Sequence, residues 1–153
     1  MRWKLEVLAA LVLVVLLQMH SADASTELRG PGTIRITDRQ LALDKIDLGN
    51  RGRSPGDVEI RRWSLLNTRI TPKPIGHAEL VCTFTGGNSR SCNGTYALPR
   101  GKLVVSGQLL FRQFFQLAVV GGTGLYDNVR GTITVTALGG KNRRDLVLFR
   151  LLA

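Results

Sequence analysis

The 153-residue sequence is poor in the residue types that usually carry nucleophilic catalysis or hold metals. It contains two histidines, two cysteines and no Cys-x-x-Cys motif. The histidine that lies outside the amino-terminal apolar segment, His77, has no Ser or Cys partner and no ligand cluster in the sequence. A catalytic triad or a zinc site needs such partners. We therefore expect no metal centre and no cofactor.

The sequence also lacks internal repeats, low-complexity segments and heptads. Acidic residues are scarce, with 11 Asp and Glu against 21 Lys and Arg, so the formal net charge is +10. Such a charge attracts anionic wall polymers, lipid headgroups or phenolates, and a solvated basic surface explains it equally well. No interleaved aromatic and basic motif is present, so nucleic acid is not an expected partner.

The amino-terminal segment is typical of a secretory signal peptide. Arg2 and Lys4 precede an apolar run, and Ala22-Asp23-Ala24 follows it as a cleavage motif of small residues. The run is shorter than the roughly 18 residues of a membrane-spanning helix, which disfavours an uncleaved anchor. We expect a leader at 1–24 and one secreted domain at 25–153, in the apoplast of a plant or the periplasm or exterior of a bacterium.

Cys82 and Cys92 flank a hairpin motif, Gly86-Gly87-Asn88-Ser89. Strands that pair symmetrically about Gly87 bring the two cysteines opposite each other. An oxidising compartment favours a disulfide between them over free thiols. The same hairpin continues into Asn93-Gly94-Thr95, an acceptor pattern for N-glycosylation in a eukaryotic host.

Alternation of polar and apolar residues predicts an all-β protein. In 77–84, the side chains of Ala78, Leu80, Cys82 and Phe84 fall on one face. Short strands between glycine-rich turns are typical of a closed barrel or a sandwich. The polar interval 47–57 is expected at the surface or at a barrel mouth. The other predicted strands are 33–37, 95–98, 102–111, 114–120, 132–136 and 145–152.

The segment from Ala118 to Thr136 carries a resemblance to a known family. Val119-Val120-Gly121-Gly122-Thr123-Gly124 is interpreted as a strand followed by a glycine turn, and Arg130-Gly131 precedes the next strand. This succession resembles the dirigent proteins and, more distantly, the allene oxide cyclases. With Gly56-Asp57 and the Gly76 to Cys82 segment, the resemblance spans about 44–136. It implies a single eight-stranded antiparallel β-barrel.

Dirigent proteins bind phenoxy radicals that a separate oxidase generates, and they steer how the radicals couple. The resemblance therefore implies a cofactor-free barrel that binds a small phenolic or hydrophobic molecule, needs an oxidase as partner, and assembles as a homodimer or homotrimer. Two alternatives stay open: a cofactor-free isomerase or cyclase, and a non-catalytic basic module that binds the cell wall. Gly107-Gln108-Leu109 stands where allene oxide cyclases carry Gly-Pro-Tyr, which argues against cyclisation of an epoxide.

The resemblance also implies candidate site residues. Arg130 matches the family's Arg-Gly segment, and the acidic candidates for acid–base work are Asp127, Asp44 and Asp47. An ion pair between Arg130 and Asp127, or a turn role for the other two acids, is the structural alternative. For Tyr96 and Tyr126 the structural alternative is an aromatic ring that packs in the core with its hydroxyl group at the rim of the barrel. The candidate ligand-binding residues are Tyr96, Tyr126 and Phe84.

Overall fold

A computed structural model describes residues 32–68, 73–110, 114–138 and 144–152. The predicted leader at 1–24 lies outside these residues. The described parts of the chain form eight strands and no helix, so they contain no helix that could cross a membrane. The strands are β1 Gly32–Ile46, β2 Val58–Leu66, β3 Gly76–Gly86, β4 Ser89–Leu98, β5 Gly101–Leu110, β6 Phe114–Gly124, β7 Arg130–Ala137 and β8 Arg144–Leu152.

Each strand pairs with the next in antiparallel order, and β8 pairs with β1 to close the barrel. The all-β barrel is thus confirmed, and β1 and β4 extend further than the sequence pattern predicts. Because consecutive strands are antiparallel, their connections alternate between two ends. The long-loop end carries the 47–57 loop and the β3–β4, β5–β6 and β7–β8 connections. The glycine end carries the β2–β3, β4–β5 and β6–β7 connections.

The barrel interior is filled mainly by side chains that alternate along each strand. In β3, Ala78, Leu80, Cys82 and Phe84 are at most 4% exposed, whereas the residues between them face solvent. Each fully buried leucine or phenylalanine of this kind stabilises the fold by about 1.5–3 kcal/mol. A register shift between Gln40 and Ala42 marks a bulge in β1, and such bulges help a sheet to curve into a closed barrel.

The predicted disulfide is present between Cys82 and Cys92, with an S–S distance of 2.02 Å. The two residues are direct register partners on β3 and β4, and both are fully buried in the barrel interior. The β3–β4 turn lies at Gly87 and Asn88, next to a register shift between Phe84 and Gly86. The hairpin prediction is therefore confirmed, with one bulged residue at its tip.

The glycine motif does not form the turn that the sequence pattern suggests. β6 continues through Gly124, and the turn follows at 125–128. The glycines are required by close packing instead: a Cβ at Gly122 would collide with the carbonyl oxygens of Tyr126 and Lys102. Gly131 has φ of 150° and faces the carbonyl of Arg150 at a distance that no Cβ fits. The motif therefore packs the β6–β7 hairpin against its neighbouring strands.

Candidate functional site

The four residues predicted for acid–base work lie at opposite ends of the barrel. Asp44 and Asp47 are at the long-loop end, where β1 ends. Asp127 and Arg130 are at the glycine end, in the β6–β7 turn and at the start of β7. All four are exposed. The structure therefore does not bring them together in one site.

Each of the four has a local contact on the surface. Arg62 Nη2 contacts Asp44 Oδ2 at 2.5 Å, with both side chains about half exposed. Asp47 accepts a hydrogen bond from the Gly52 N–H at 3.4 Å. Asp127 accepts one from the N–H of the following residue at 3.1 Å. Arg130 Nη1 donates to the Val120 carbonyl at 3.5 Å.

The three predicted aromatic residues are distributed differently. Tyr96 is 1% exposed inside the barrel and packs edge-to-face on Phe149, with ring centroids 5.2 Å apart. Phe84 is buried near the long-loop end. Tyr126 is half-buried at the glycine end, where it packs against the core. The interior therefore contains Tyr96 and Phe84, while Tyr126 contributes to closing the glycine end.

A buried carboxyl group, Asp38, was missed by the sequence analysis. Asp38 is 1% exposed, and its register partners are Leu65 on β2 and Asp145 on β8. Its Oδ1 atom is buried without a hydrogen-bond partner. Period two along β1 offered a signal, because Asp38 falls on the same face as the apolar residues Ile34 and Ile36.

The environment of Asp38 favours its protonated form. Burial, and after it the neighbouring Asp145 carboxylate, raise its pKa to about 8, although a hydrogen bond from the Asp145 N–H acts in the opposite direction. The pKa of Tyr96 is also raised, first by burial and then by Asp38 and Asp145. We call Asp38, Asp145 and Tyr96 the interior acid cluster. A carboxyl with a pKa near neutrality can give or take a proton, and a neutral phenol can donate a hydrogen bond.

A second group of charges is buried near the long-loop end. Glu59 Oε2 accepts hydrogen bonds from Arg61 Nη2 at 2.8 Å and from Arg90 Nη1 at 2.6 Å. Burial raises the pKa of Glu59, but the two guanidinium groups and Lys45 outweigh it, so that the pKa is lowered. Burial and the Arg61 charge lower the pKa of Arg90 to about 10, against the opposing effect of Glu59. Glu59 and Arg90 are therefore both charged at neutral pH.

A cavity of about 200 Å³ opens at the same end of the barrel. We call it the mouth pocket. The 47–57 loop that forms one wall is held by Asp57, which accepts hydrogen bonds from the N–H groups of Leu48 at 2.9 Å and Ser54 at 2.7 Å. These donors hold the pKa of Asp57 below its usual value. The lining includes Lys45, Ile46, Asp47, Arg53, Val58, Glu59 and Phe84.

Within the described ranges, no three His, Cys, Asp or Glu residues are grouped in a way that could hold a metal ion. His77 lies on β3 with its side chain exposed. The described interior presents carboxyl, phenol and guanidinium groups within an apolar wall.

Comparisons with known proteins support the fold. No family model matches the chain, and no curated protein matches it. A solved pyocyanin demethylase is 24% identical, with a TM-score of 0.69 over 79% of this chain and 100% of its own. A pterocarpan synthase dirigent protein is 14% identical, with a TM-score of 0.63 over 80% of this chain and 83% of its own.

An exo-specific intermolecular Diels-Alderase, AbnU, is 10% identical, with a TM-score of 0.64 over 80% of this chain and 98% of its own. At these identities the likeness concerns the fold. The chain has the barrel fold of dirigent and cyclase-like proteins, as the resemblance implies, and it is a divergent example of that fold.

Proposed function

We propose that this barrel binds one small phenolic or hydrophobic molecule and directs the stereochemistry of its coupling or cyclisation without a cofactor. The observation that carries the proposal is the interior acid cluster. Asp38 and Asp145 are adjacent across the strand pair that closes the barrel, and Tyr96 shares their environment. The surrounding interior is apolar.

The cluster can assist such a reaction by moving protons and by orienting the ligand. With a pKa of about 8, Asp38 is mainly protonated at neutral pH and can donate to a phenol oxygen or a quinone-methide oxygen. An ionised Asp145 can accept the phenolic proton that is lost. Holding the ligand in one orientation favours one face of attack, and a preference of about 1.4 kcal/mol gives tenfold selectivity.

The two modes of the proposal differ in their requirement for a partner. Coupling of phenoxy radicals needs a separate oxidase, whereas cyclisation is an isomerisation that needs none. The structures that share the fold include a protein named as a dirigent protein and another named as a Diels-Alderase, which supports either mode. The buried carboxyl with a near-neutral pKa specifically favours the acid–base cyclase as second candidate.

The test is chiral product analysis with two probes. In the first arm an oxidase couples a para-propenylphenol, whose coupling through the side chain creates stereocentres, with and without the protein; in the second, 2′-hydroxychalcone is offered without oxidase and flavanone is analysed. We expect an enantiomeric excess in at least one arm that Asp38→Asn abolishes. The matched control is Glu79→Gln, which makes the same change of carboxyl to amide at an exposed position on β3. Racemic products in both arms, or equal loss in the two variants, would contradict the proposal.

One face of the barrel, formed by β4 to β6, is a candidate surface for assembly into oligomers. The outward residues of β4 to β6 carry no charge except Lys102, and they include exposed Val104, Phe114 and Val120. We propose that this face joins copies of the chain into a dimer or trimer, because an uncharged sheet face is easier to desolvate than a charged one. Light scattering of Val104→Lys, compared with the unmodified protein, tests it.

The non-catalytic alternative is favoured by one surface feature. Arg35, Arg39 and Arg150 are exposed on the adjacent strands β1 and β8, and they offer a basic face to a polyanion. Binding to a polyanion that disappears at high salt would support this module. The proposed extracellular location is supported by the buried disulfide, since such bonds persist in oxidising compartments.

A further inference from the structure

The mouth pocket is separate from the interior acid cluster. Lys45 lines the pocket, and it lies seven positions beyond Asp38 on β1. At about 3.3 Å per residue, the two are roughly 20 Å apart along the strand. A ligand confined to the pocket therefore does not contact Asp38, and the pocket is a separate candidate binding site.

The charges around the mouth pocket sum to one positive charge. Four cations lie on or beside its wall, and three carboxylates accompany them. All three carboxylates accept hydrogen bonds: Asp57 from N–H groups of its own loop, Glu59 from both neighbouring guanidinium groups, and Asp47 from a loop N–H group. A single organic anion would bring the group to neutrality. The cations are Lys45, Arg53, Arg61 and Arg90, and the carboxylates are Asp47, Asp57 and Glu59.

The other walls of the mouth pocket are apolar. Phe84 is 4% exposed and lines the cavity with Val58 and Ile46. The volume of about 200 Å³ is smaller than the roughly 300–1,000 Å³ of a drug-sized site. The occupant that fits is therefore a molecule of one ring or a short chain, with one apolar side and one anionic group.

We propose that the mouth pocket binds a small aromatic carboxylate, with its ring against Phe84 and its carboxylate toward Lys45 and Arg53. Charge-assisted hydrogen bonds from Lys or Arg to a carboxylate are roughly twice as strong as neutral ones. Arg61 and Arg90 lie behind Glu59 and add positive potential to this wall without losing their own ion pairs.

The experiment is an NMR titration of the purified protein with sodium benzoate, with benzamide as the uncharged analogue. We expect amide shifts on the residues of the mouth pocket and at least tenfold weaker binding of benzamide. Lys45→Met with Arg53→Met, both exposed positions, should weaken benzoate at least tenfold. The matched control Lys102→Met, at the glycine end, should change the Kd less than twofold.

Three results would overturn the inference: equal binding of benzoate and benzamide, an unchanged Kd in the double variant, or shifts centred on Asp38 and Asp145. Inorganic phosphate is the third probe, because it carries charge but no ring. If phosphate binds as tightly as benzoate, the proposed contact between the ring and Phe84 is wrong. Asp38→Asn should leave benzoate binding unchanged, so failure of the interior chemistry and failure of this site can be told apart.

Discussion

Asp38 on β1 and Asp145 on β8 are direct partners in the ladder that closes the barrel. The contact joins residues from the two ends of the described chain, and it places the buried carboxyl group of Asp38 beside the half-buried Asp145. When two carboxyl groups lie this close, the negative charge of one raises the pKa of the other. Burial is the larger cause of the raised pKa of Asp38 and Asp145 the smaller one, and the pairing that closes the barrel brings Asp145 beside it.

The pH dependence of stability should report this pair. The pKa of Asp38 rises from 3.8 to about 8 on folding, so between these values the folded state binds a proton that the unfolded state has lost. The free energy of unfolding contributed by this group is therefore full below about pH 4 and decreases as pH rises toward 8, by at most about 1.4 kcal/mol per pH unit.

Asp38→Asn should flatten this slope and be more stable than the unmodified protein at pH 8, as measured by urea unfolding at pH 5, 6, 7 and 8. Asp127→Asn, at an exposed position, is the control and should keep the original slope. Parallel pH profiles for the unmodified protein and Asp38→Asn would show that Asp38 is ionised in the fold.

Replacing the buried Glu59 should lower the free energy of unfolding far more than replacing the exposed Asp44, although both carboxylates accept hydrogen bonds from arginine. Glu59→Gln leaves two guanidinium groups close together in a buried site, and breaking such a pair costs about 3–5 kcal/mol. Asp44→Asn removes a half-exposed pair with Arg62 and should cost under about 1 kcal/mol. Denaturant midpoints of the two variants check this ranking, which equal losses would refute.

Substitution by alanine should affect the two adjacent glycines of the motif very differently. A Cβ at Gly122 meets two carbonyl oxygens, whereas a Cβ at Gly121 has nothing within 4 Å. We expect Gly122→Ala to lose about 2–4 kcal/mol of unfolding free energy and Gly121→Ala to change by less than about 1 kcal/mol. Thermal unfolding of both variants tests the packing role; similar midpoints would point to a different reason for Gly122.

The disulfide should stabilise the fold chiefly by restricting the unfolded chain. Cys82 and Cys92 are ten positions apart, and closing so short a loop is worth about 3 kcal/mol in the chain-entropy model. Reduction by a thiol should lower the denaturant midpoint accordingly. The double change Cys82→Ala and Cys92→Ala should be at least as destabilised, because both sulfurs are fully buried. No change on complete reduction would rule out the expected contribution.

Much of the fold was accessible from local pattern. The alternation in 77–84 predicted β3 and its buried face, and the spacing of Cys82 and Cys92 about Gly87 predicted the hairpin and its disulfide. The glycine motif pointed to the right barrel fold, although its turn lies further along the chain. The motif is recognisable in sequence because main-chain atoms pack so closely against Gly122 and Gly131 that a Cβ would collide with them.

The candidate site was harder to predict from the sequence than the fold, for a physical reason. Periodicity tells which face of a strand a residue occupies, and so Asp38 could have been assigned to the inner face. It does not tell which residue of a distant strand comes opposite. Asp38 and Asp145 meet through a pairing between the first and last strands, and the contact between Glu59 and Arg90 spans 31 residues.

The sequence by itself determined the strands, the hairpin, the cysteine pair and the overall basic charge, because each depends on neighbours within one strand or one turn. Only the tertiary structure decided that Asp44 and Asp127 lie at opposite ends, and that the buried Asp38 lies beside Asp145. Those placements depend on the strand order and on the register of closure, including the bulge after Gln40. Register is a property of paired strands, and it is set when all eight are joined.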